Sequence, residues 1–290
     1  MTDTEHANKA RHEENRRAWN AATVAHNSHK ADQAAFLRGG GSTLFPEEVA
    51  LLGDLHGLSL LHLQCNAGQD TLGLAARGAT VTGVDISDEA IAFARQLSAD
   101  SGISATFARA DIYDWLAEAG AAGRQFDVVF CSYGFVGWLS DLDRWARGIA
   151  AVLKPGGRFV AVEFHPFSMV FDFDWSRTFD YSSGGKAHSW STGVGDYVAM
   201  AGEGLTPSGW VAGVGDFTNP HPGHEWFWGI GDLVSALISA GLVLTALREY
   251  PYANGARLFE GMREGPGKRM YPPEGTPALP LMLGVVAQRG

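Results

Sequence analysis

Short apolar runs alternate with longer amphipathic segments along much of the chain. The clearest example starts with an apolar run at residues 60–63, then has helical spacing at 70–77 and a β-branched run at 81–84. The residues between the first two segments, Asn66-Ala67-Gly68, are small or turn-forming and let the backbone approach a ligand closely. The pattern predicts a strand, a tight turn, a helix and a second strand that ends at Asp85.

The same alternation extends through the centre of the chain and returns near its end. Ser87 and Ser140 are placed to cap two further helices, because a serine side chain accepts hydrogen bonds from the first turn. Strands that alternate with helices predict a parallel sheet covered on both faces. The predicted helices cover residues 46–55, 88–99, a segment after Ser140 with Leu142, Trp145, Ile149 and Val152 on one face, and 231–240; the predicted strands cover 105–110, 126–131, 158–163, 243–250 and 281–288.

Two regions interrupt this alternation. Residues 1–45 are polar and helix-prone, and they form either a solvated helix anchored by Trp19 or a lid over a cofactor site. Residues from 166 to about 228 are rich in glycine and aromatic residues, and alternating runs such as 196–204 and 209–217 predict a partly antiparallel cap. The predicted organisation is an N-terminal helical lid at 1–45, a cofactor-binding core at 46–165, an inserted substrate cap at 166–230 and the rest of the core sheet at 231–290.

Asp85 is predicted at the edge where open α/β sheets bind their ligands. A carboxylate there can accept hydrogen bonds from the two vicinal hydroxyls of a ribose, so the unit indicates a cofactor that contains a nucleoside. A nicotinamide-dependent oxidoreductase would require Gly-x-Gly-x-x-Gly after the first strand, whereas only Gly68 and Gly73 occur there.

Composition restricts the possible partners. The net charge of −10 argues against a nucleic-acid partner, and no apolar run reaches the roughly 20 residues that span a bilayer. The polar start lacks the apolar core of a secretory signal, so we expect a cytoplasmic protein without a membrane partner. His221 and His224 have no carboxylate or cysteine to complete a ligand set, and we expect no metal site.

The order of these parts, the turn sequence LKPGGRFV and the closing strand pair resemble the class I S-adenosylmethionine-dependent methyltransferases. The resemblance covers roughly residues 45–165 and the last 60, and it is greatest to bacterial enzymes of the small-molecule, natural-product type. It implies a Rossmann-like, seven-stranded, mostly parallel sheet whose last strand is antiparallel. It also implies S-adenosylmethionine as cofactor and S-adenosylhomocysteine as product. The chain departs from the family's first motif, because His62 replaces the acid and only Gly68 remains of its glycines.

The resemblance also implies which residues bind the cofactor. Asp85 would bind the ribose, Asp111 and Ile112 would hold the adenine, and the residues after the fourth strand would lie along the methionine moiety. The complete predicted set is Gln64, Asn66, Gly68, Asp85, Ile86, Asp111, Ile112, Ser132 and Tyr133.

Two groups lie at the end of the fifth strand, beside the expected position of a methyl acceptor. His165 and Glu163 are candidate catalytic residues, since a group that titrates near neutral pH can take the acceptor's proton. A structural histidine before Pro166 is the alternative for His165. The predicted substrate-binding residues are Trp19, Phe135, Trp138 and Phe167.

We therefore predict a methyltransferase that acts on an apolar or aromatic small molecule, such as a secondary metabolite, at an oxygen, nitrogen or carbon atom. The alternatives are a catalytically inactive protein that binds the cofactor or another nucleoside and an NAD(P)-dependent oxidoreductase. A homo-oligomer is possible.

Overall fold

The structure is a computed structural model and describes residues 3–290. Its helices are α1 (Asp3–Ser28), α2 (Gln33–Arg38), α3 (Pro46–Leu52), α4 (Gln69–Ala76), α5 (Asp88–Ser101), α6 (Ile112–Ala121), α7 (Leu142–Val152), α8 (Tyr197–Ala201) and α9 (Ile230–Ser239). Its strands are β1 (Ser59–Leu63), β2 (Thr80–Asp85), β3 (Thr106–Arg109), β4 (Phe126–Ser132), β5 (Leu153–Phe164), β6 (Ala187–Trp190), β7 (Gly223–Trp226), β8 (Leu242–Tyr250), β9 (Ala253–Asn254), β10 (Arg263–Gly265), β11 (Arg269–Tyr271) and β12 (Met282–Arg289).

Seven of these strands form one sheet in the order β3-β2-β1-β4-β5-β12-β8. The pairs among β1 to β5 are parallel, and β12 is antiparallel to both of its neighbours. The predicted fold class is confirmed, including the antiparallel last strand. The order reverses at β1, where the chain crosses from β3 back to β4, and a crevice forms at the carboxyl edge of the sheet at such a switch point.

Strand β4 explains why the sheet is covered on both faces. Val128 and Phe130 belong to the cluster that contains Leu52 of α3, whereas Val129 and Cys131 belong to the cluster that contains Trp145 and Ile149 of α7. Successive side chains of a strand point to opposite faces, so an uninterrupted apolar run requires a core on each side.

The cap contains an antiparallel pair, but at positions other than those predicted. Strands β6 and β7 pair with each other, whereas the run at 196–204 contains α8. Asp196 explains this correction, because its side chain accepts a hydrogen bond from the Ala199 N–H at 2.9 Å and so caps a helix.

Helix starts were predicted with mixed success. Ser87 caps α5 as predicted, since its hydroxyl accepts from the Ala90 N–H at 3.1 Å. The cap of α7 is Asp141, which accepts from the Arg144 N–H at 2.8 Å, so the prediction of Ser140 is wrong. The sequence analysis missed α6, and its helix-prone segment at 1–45 did not separate α2 from α1.

Within residues 3–290, the structure contains no helix with the length and apolarity needed to cross a bilayer. The same residues contain no group of three or more histidine, cysteine, aspartate or glutamate side chains arranged to hold a metal ion.

The Asp141 cap gives a stability prediction. Replacing Asp141 with Ala is expected to lower the free energy of unfolding by about 1 kcal/mol, because the Arg144 N–H loses its acceptor. The matched control is Asp143→Ala, which removes an exposed carboxylate from the same first turn. Urea unfolding measures both; equal losses in the two variants would contradict the assignment of the cap.

Candidate active site

A cavity of about 1080 Å³ lies over the carboxyl edge of the sheet and is enclosed by the core, α1 and the cap. Its volume is slightly above the range of about 300–1,000 Å³ that is usual for small-molecule sites. Each layer contributes side chains to the lining: Gln64, Asp85, Ser132 and Glu163 from the core, Trp19 and His26 from α1, and Trp190, Tyr197 and Trp226 from the cap.

Strained backbone marks the two loops at the centre of this cavity. Gln64, Asn66 and Tyr133 have φ values of 52°, 47° and 31°, in the left-handed region that non-glycine residues rarely adopt. All three line the cavity and belong to the predicted cofactor-binding set. Such strain persists only where the surrounding structure maintains it, and it clusters at ligand sites.

The Asp85 carboxylate connects the loops that follow β1 and β2. One oxygen accepts from the Asn66 N–H at 2.8 Å, and the other accepts from the Ser87 N–H at 2.8 Å. Burial raises the pKa of Asp85, and the hydrogen bonds from Ser87 and Asn66 act against this rise. A carboxylate oxygen can accept two hydrogen bonds, so each oxygen keeps capacity for a ligand in the cavity.

Asp111 lies at the end of the neighbouring strand and contacts α1. It caps α6 through the Tyr113 N–H at 2.9 Å, and its second oxygen lies 2.7 Å from His12 Nδ1. Burial would raise the pKa of Asp111, but the hydrogen bond and the charge of His12 bring it below the usual value. The other ring nitrogen of His12 lies 3.0 Å from the Ser140 hydroxyl. Helix α1 therefore contacts the predicted adenine-binding carboxylate directly.

Further contacts hold α1 over the carboxyl edge of the sheet. The Ser87 hydroxyl donates to Asn20 Oδ1 at 2.7 Å, and Arg16 pairs with Asp88. The rings of Trp19 and Trp138 meet edge to face with centroids 5.4 Å apart. Both tryptophans were predicted to bind substrate, and both line the cavity.

Gly68 has a different position from the other predicted cofactor-binding residues. It precedes α4 with φ of 81° and does not line the cavity. A Cβ atom at this position would lie 2.6 Å from the Cβ of Ala94 and 3.0 Å from the ring of Phe107. The close approach of α4 to α5 and β3 is sufficient to require glycine there.

The two predicted catalytic residues have different environments. Glu163 lines the cavity and is fully buried; its carboxylate accepts from the backbone N–H groups of Gly134, Val136 and Phe164. Burial raises the pKa of Glu163 to about 7. His165 lies outside the lining, where one ring nitrogen accepts from the Phe167 N–H and the other lies 2.9 Å from Glu249 Oε1.

Of the remaining predicted substrate-binding residues, one lines the cavity and one does not. Phe135 lines the cavity while its ring stacks on Trp145. Phe167 is outside the lining and packs against Phe171. The other predicted cofactor-binding residues, Ile86, Ile112, Ser132 and Tyr133, all line the cavity.

Several lining residues were missed by the sequence analysis. Five buried polar atoms of lining residues have no hydrogen-bond partner within residues 3–290: Gln64 Oε1, His62 Nε2, His26 Nδ1, Trp226 Nε1 and Asn254 Oδ1. Burial lowers the pKa values of His62 and His26 to about 4, so both imidazoles are neutral at pH 7. Unpartnered buried polar atoms are costly, and a polar ligand in the cavity would satisfy them. The lining residues that the sequence analysis missed include His12, His26, Lys30, Asp70 and Tyr197.

Comparison with known proteins identifies the core. Residues 60–157 match a family described as "Methyltransferase domain". The "Ubiquinone biosynthesis O-methyltransferase" of Bordetella avium is 30% identical over 123 residues, which are 42% of this chain and 49% of that protein. The chain thus spans about half the length of the curated relatives it matches.

Solved structures extend the similarity to most of the chain. An S-adenosylmethionine-dependent methyltransferase from Mesorhizobium loti superposes with a TM-score of 0.54 at 20% identity, covering 86% of this chain and 99% of its own. A putative S-adenosylmethionine-dependent methyltransferase from Listeria monocytogenes superposes with a TM-score of 0.54 at 16% identity, covering 84% of this chain and 95% of its own. At these identities the similarity shows the fold alone. Residues 60–157 therefore match a methyltransferase domain, and the chain has the fold of the S-adenosylmethionine-dependent methyltransferases.

Proposed function

We propose that this chain transfers the methyl group of S-adenosylmethionine to an apolar or aromatic small molecule. The observation that carries the proposal is the position of Asp85, whose buried carboxylate lies at the end of β2, lines a large cavity and keeps acceptor capacity on both oxygens. The matched methyltransferase domain supports it, because residues 60–157 include this carboxylate and most of the core lining.

The lining fits the cofactor from one end to the other. Asp85 would accept hydrogen bonds from the ribose hydroxyls, and Asp111 with Ile112 would lie at the adenine. Gln64 has an unsatisfied Oε1 atom, while its amide already donates to the Phe135 carbonyl at 3.1 Å. The bound cofactor supplies an electrophilic methyl group on a sulfonium, so the chain's main task is to hold the acceptor in line and to exclude water.

The acceptor side of the cavity is aromatic. Trp19 and Trp138 form one wall, and Tyr197 packs against His26 with ring centroids 4.1 Å apart. Trp190, Trp226 and Trp228 of the cap region complete the aromatic lining. Large aromatic faces favour a flat or apolar acceptor, which supports the predicted secondary-metabolite class. The similarity to relatives named as O-methyltransferases favours an oxygen acceptor.

Glu163 would act mainly as a positioning residue. Two of its three backbone hydrogen bonds, from Gly134 and Val136, hold the loop at residues 134–136, which carries Phe135 and leads to Trp138. With a pKa of about 7 it can also take a proton at neutral pH. His165 has both ring nitrogens engaged outside the cavity, so the proposed machinery does not include it.

A binding protein without chemistry is the main competing function, and product analysis distinguishes the two. The chain is incubated with S-adenosylmethionine and a panel of phenols, aromatic amines and apolar alkenes, and S-adenosylhomocysteine is quantified by mass spectrometry. Acceptor-dependent product supports the proposal. Tight cofactor binding with no turnover on any acceptor class would favour the inactive alternative, and preferential binding of NAD would favour the oxidoreductase. The predicted cytoplasmic location and homo-oligomer stay predictions.

The ribose assignment gives a prediction about cofactor affinity. Asp85→Asn is expected to weaken the binding of S-adenosylhomocysteine by about 1–3 kcal/mol, since a charged hydrogen-bond acceptor is lost. Isothermal titration calorimetry measures the affinity. The matched control is Asp54→Asn, which makes the same change at an exposed position outside the cavity lining and is expected to leave the affinity unchanged. Unaltered affinity in Asp85→Asn would remove the carboxylate from the site.

Glu163 gives a prediction about pH. Its pKa is about 7 in the folded chain against an ordinary value of 4.5, so the fold favours the protonated form. Its contribution to stability is therefore fully present below pH 4.5 and is lost as the pH rises through 7. Glu163→Gln does not titrate, so the difference in unfolding free energy, wild type minus variant, should fall by about 3 kcal/mol between pH 4.5 and 8. Chemical denaturation at a series of pH values measures this difference; a constant difference would contradict the raised pKa.

A further inference from the structure

Lys30 is a cation in the cavity lining without a direct partner. Among residues 3–290, no side chain or carbonyl makes a hydrogen bond or ion pair with its ammonium group. Its backbone is fixed between α1 and the cap, because the Ala31 N–H donates to the Gly209 carbonyl at 2.9 Å and the Val211 N–H donates to the His29 carbonyl at 3.0 Å. The ammonium is therefore held at the cavity by main-chain pairing rather than by a salt bridge.

The same stretch is tied to the start of α4. Gln69 donates to Asn27 Oδ1 at 3.0 Å and to Gln33 Oε1 at 2.7 Å, so its partners lie on either side of Lys30 in the sequence. The next residue of α4 is Asp70, which lines the same cavity. These contacts bring the lysine and this carboxylate to one end of the cavity.

Lys30 and Asp70 nevertheless form no ion pair within 4.0 Å. Asp70 instead accepts from the hydroxyl of Thr43 and, at 3.4 Å, from that of Ser132. Burial lowers the pKa of Lys30 to about 8, and the charges of Asp70 and Asp196 act against this fall. An enclosed ammonium without a direct partner is costly, so a ligand anion would be bound favourably there.

Because His62 replaces the acid that the family resemblance implies, Asp70 is the carboxylate available at this end of the cavity. The resemblance to the family places an acid at His62, but His62 is a neutral imidazole here, with Nδ1 2.9 Å from the Thr71 hydroxyl. Asp70 is the first acid after His62 in the sequence, and its contact with Ser132 places it at the end of β4, where the methionine moiety is expected. This end of the cavity thus has one positive and one negative group that face it without touching each other.

We propose that Lys30 and Asp70 together bind a zwitterionic α-amino acid group, with Lys30 on its carboxylate and Asp70 on its ammonium. In the proposed function this group is the methionyl end of the cofactor, so the assignment rests on that function and deepens it. It adds a residue of the N-terminal segment to the cofactor site and moves the acidic partner from position 62 to position 70.

Calorimetry with three related ligands distinguishes the contribution of Lys30 from that of Asp70. S-adenosylmethionine has both charged groups, its decarboxylated form keeps only the ammonium, and 5′-methylthioadenosine has neither. Lys30→Met is expected to weaken the binding of S-adenosylmethionine about tenfold to a hundredfold. The affinities for the other two ligands are expected to stay unchanged. Asp70→Asn is expected to weaken the binding of S-adenosylmethionine and of its decarboxylated form, and to leave the affinity for 5′-methylthioadenosine unchanged. Lys186→Met, which removes an exposed lysine outside the cavity lining, is the charge-matched control.

Folding and the wild-type chain provide independent checks. The ligand-free Lys30→Met variant should melt at the same temperature as the wild type or higher, because it lacks an enclosed charge without a direct partner. Lys30→Arg should retain most of the affinity. The wild type itself should prefer S-adenosylmethionine to its decarboxylated form at least tenfold, which requires no variant.

Three outcomes would overturn the assignment. They are equal binding of S-adenosylmethionine and its decarboxylated form by the wild type, a Lys30→Met variant that keeps the wild-type preference, and a variant that loses all three ligands equally. A wild-type chain that binds none of the three ligands would instead overturn the proposed function, and this assignment with it.

Discussion

The buried carboxylate of Asp85 determines the geometry of the cofactor side of the cavity. Its two oxygens accept N–H groups from loops that follow different strands, at Asn66 and at Ser87. These hydrogen bonds help to hold the first loop with Gln64 and Asn66 in the left-handed backbone region, which non-glycine residues rarely adopt. They also place the start of α5 beside this loop. Without this acceptor, two buried N–H groups would lose their partners and the strained loop would lose its support.

The N-terminal helix completes the site from the opposite side. Its contacts with the core run from His12 at Asp111, through Asn20 at Ser87, to Trp19 at Trp138. Each contact joins α1 to a loop at the carboxyl edge of the sheet, so the helix covers the positions proposed for adenine, ribose and acceptor in turn. Lys30 follows directly and extends this series to the amino acid end. The same segment that encloses the cavity therefore also supplies its polar groups.

The sequence predicted the core sheet well because its signal is local. The apolar run of β4, the position of Asp85 at a strand end and the β-branched run of β2 each follow from a few consecutive residues. Gly68 was predicted to bind the cofactor, but the structure gives it a packing role that needs only the close approach of Ala94 and Phe107. The cap of α7 was misplaced by one residue, because Ser140 and Asp141 can both cap a helix and only the backbone conformation distinguishes them.

The sequence predicted a lid over the site as one interpretation of residues 1–45, with Trp19 in the lining. The polar contacts of α1 with the core could not be predicted, for physical reasons. The buried face of α1 consists of alanine, histidine, asparagine and threonine, so the helix has no large apolar stripe. Its contacts join residues far apart in the chain; His12 and Asp111 are 99 positions apart. The most direct test of the account is a crystal structure of the chain with S-adenosylhomocysteine. The account predicts both ribose hydroxyls within hydrogen-bond distance of the Asp85 carboxylate, with α1 closed over the adenosine. A ligand bound away from β2, with Asp85 contacting only Asn66 and Ser87, would contradict it.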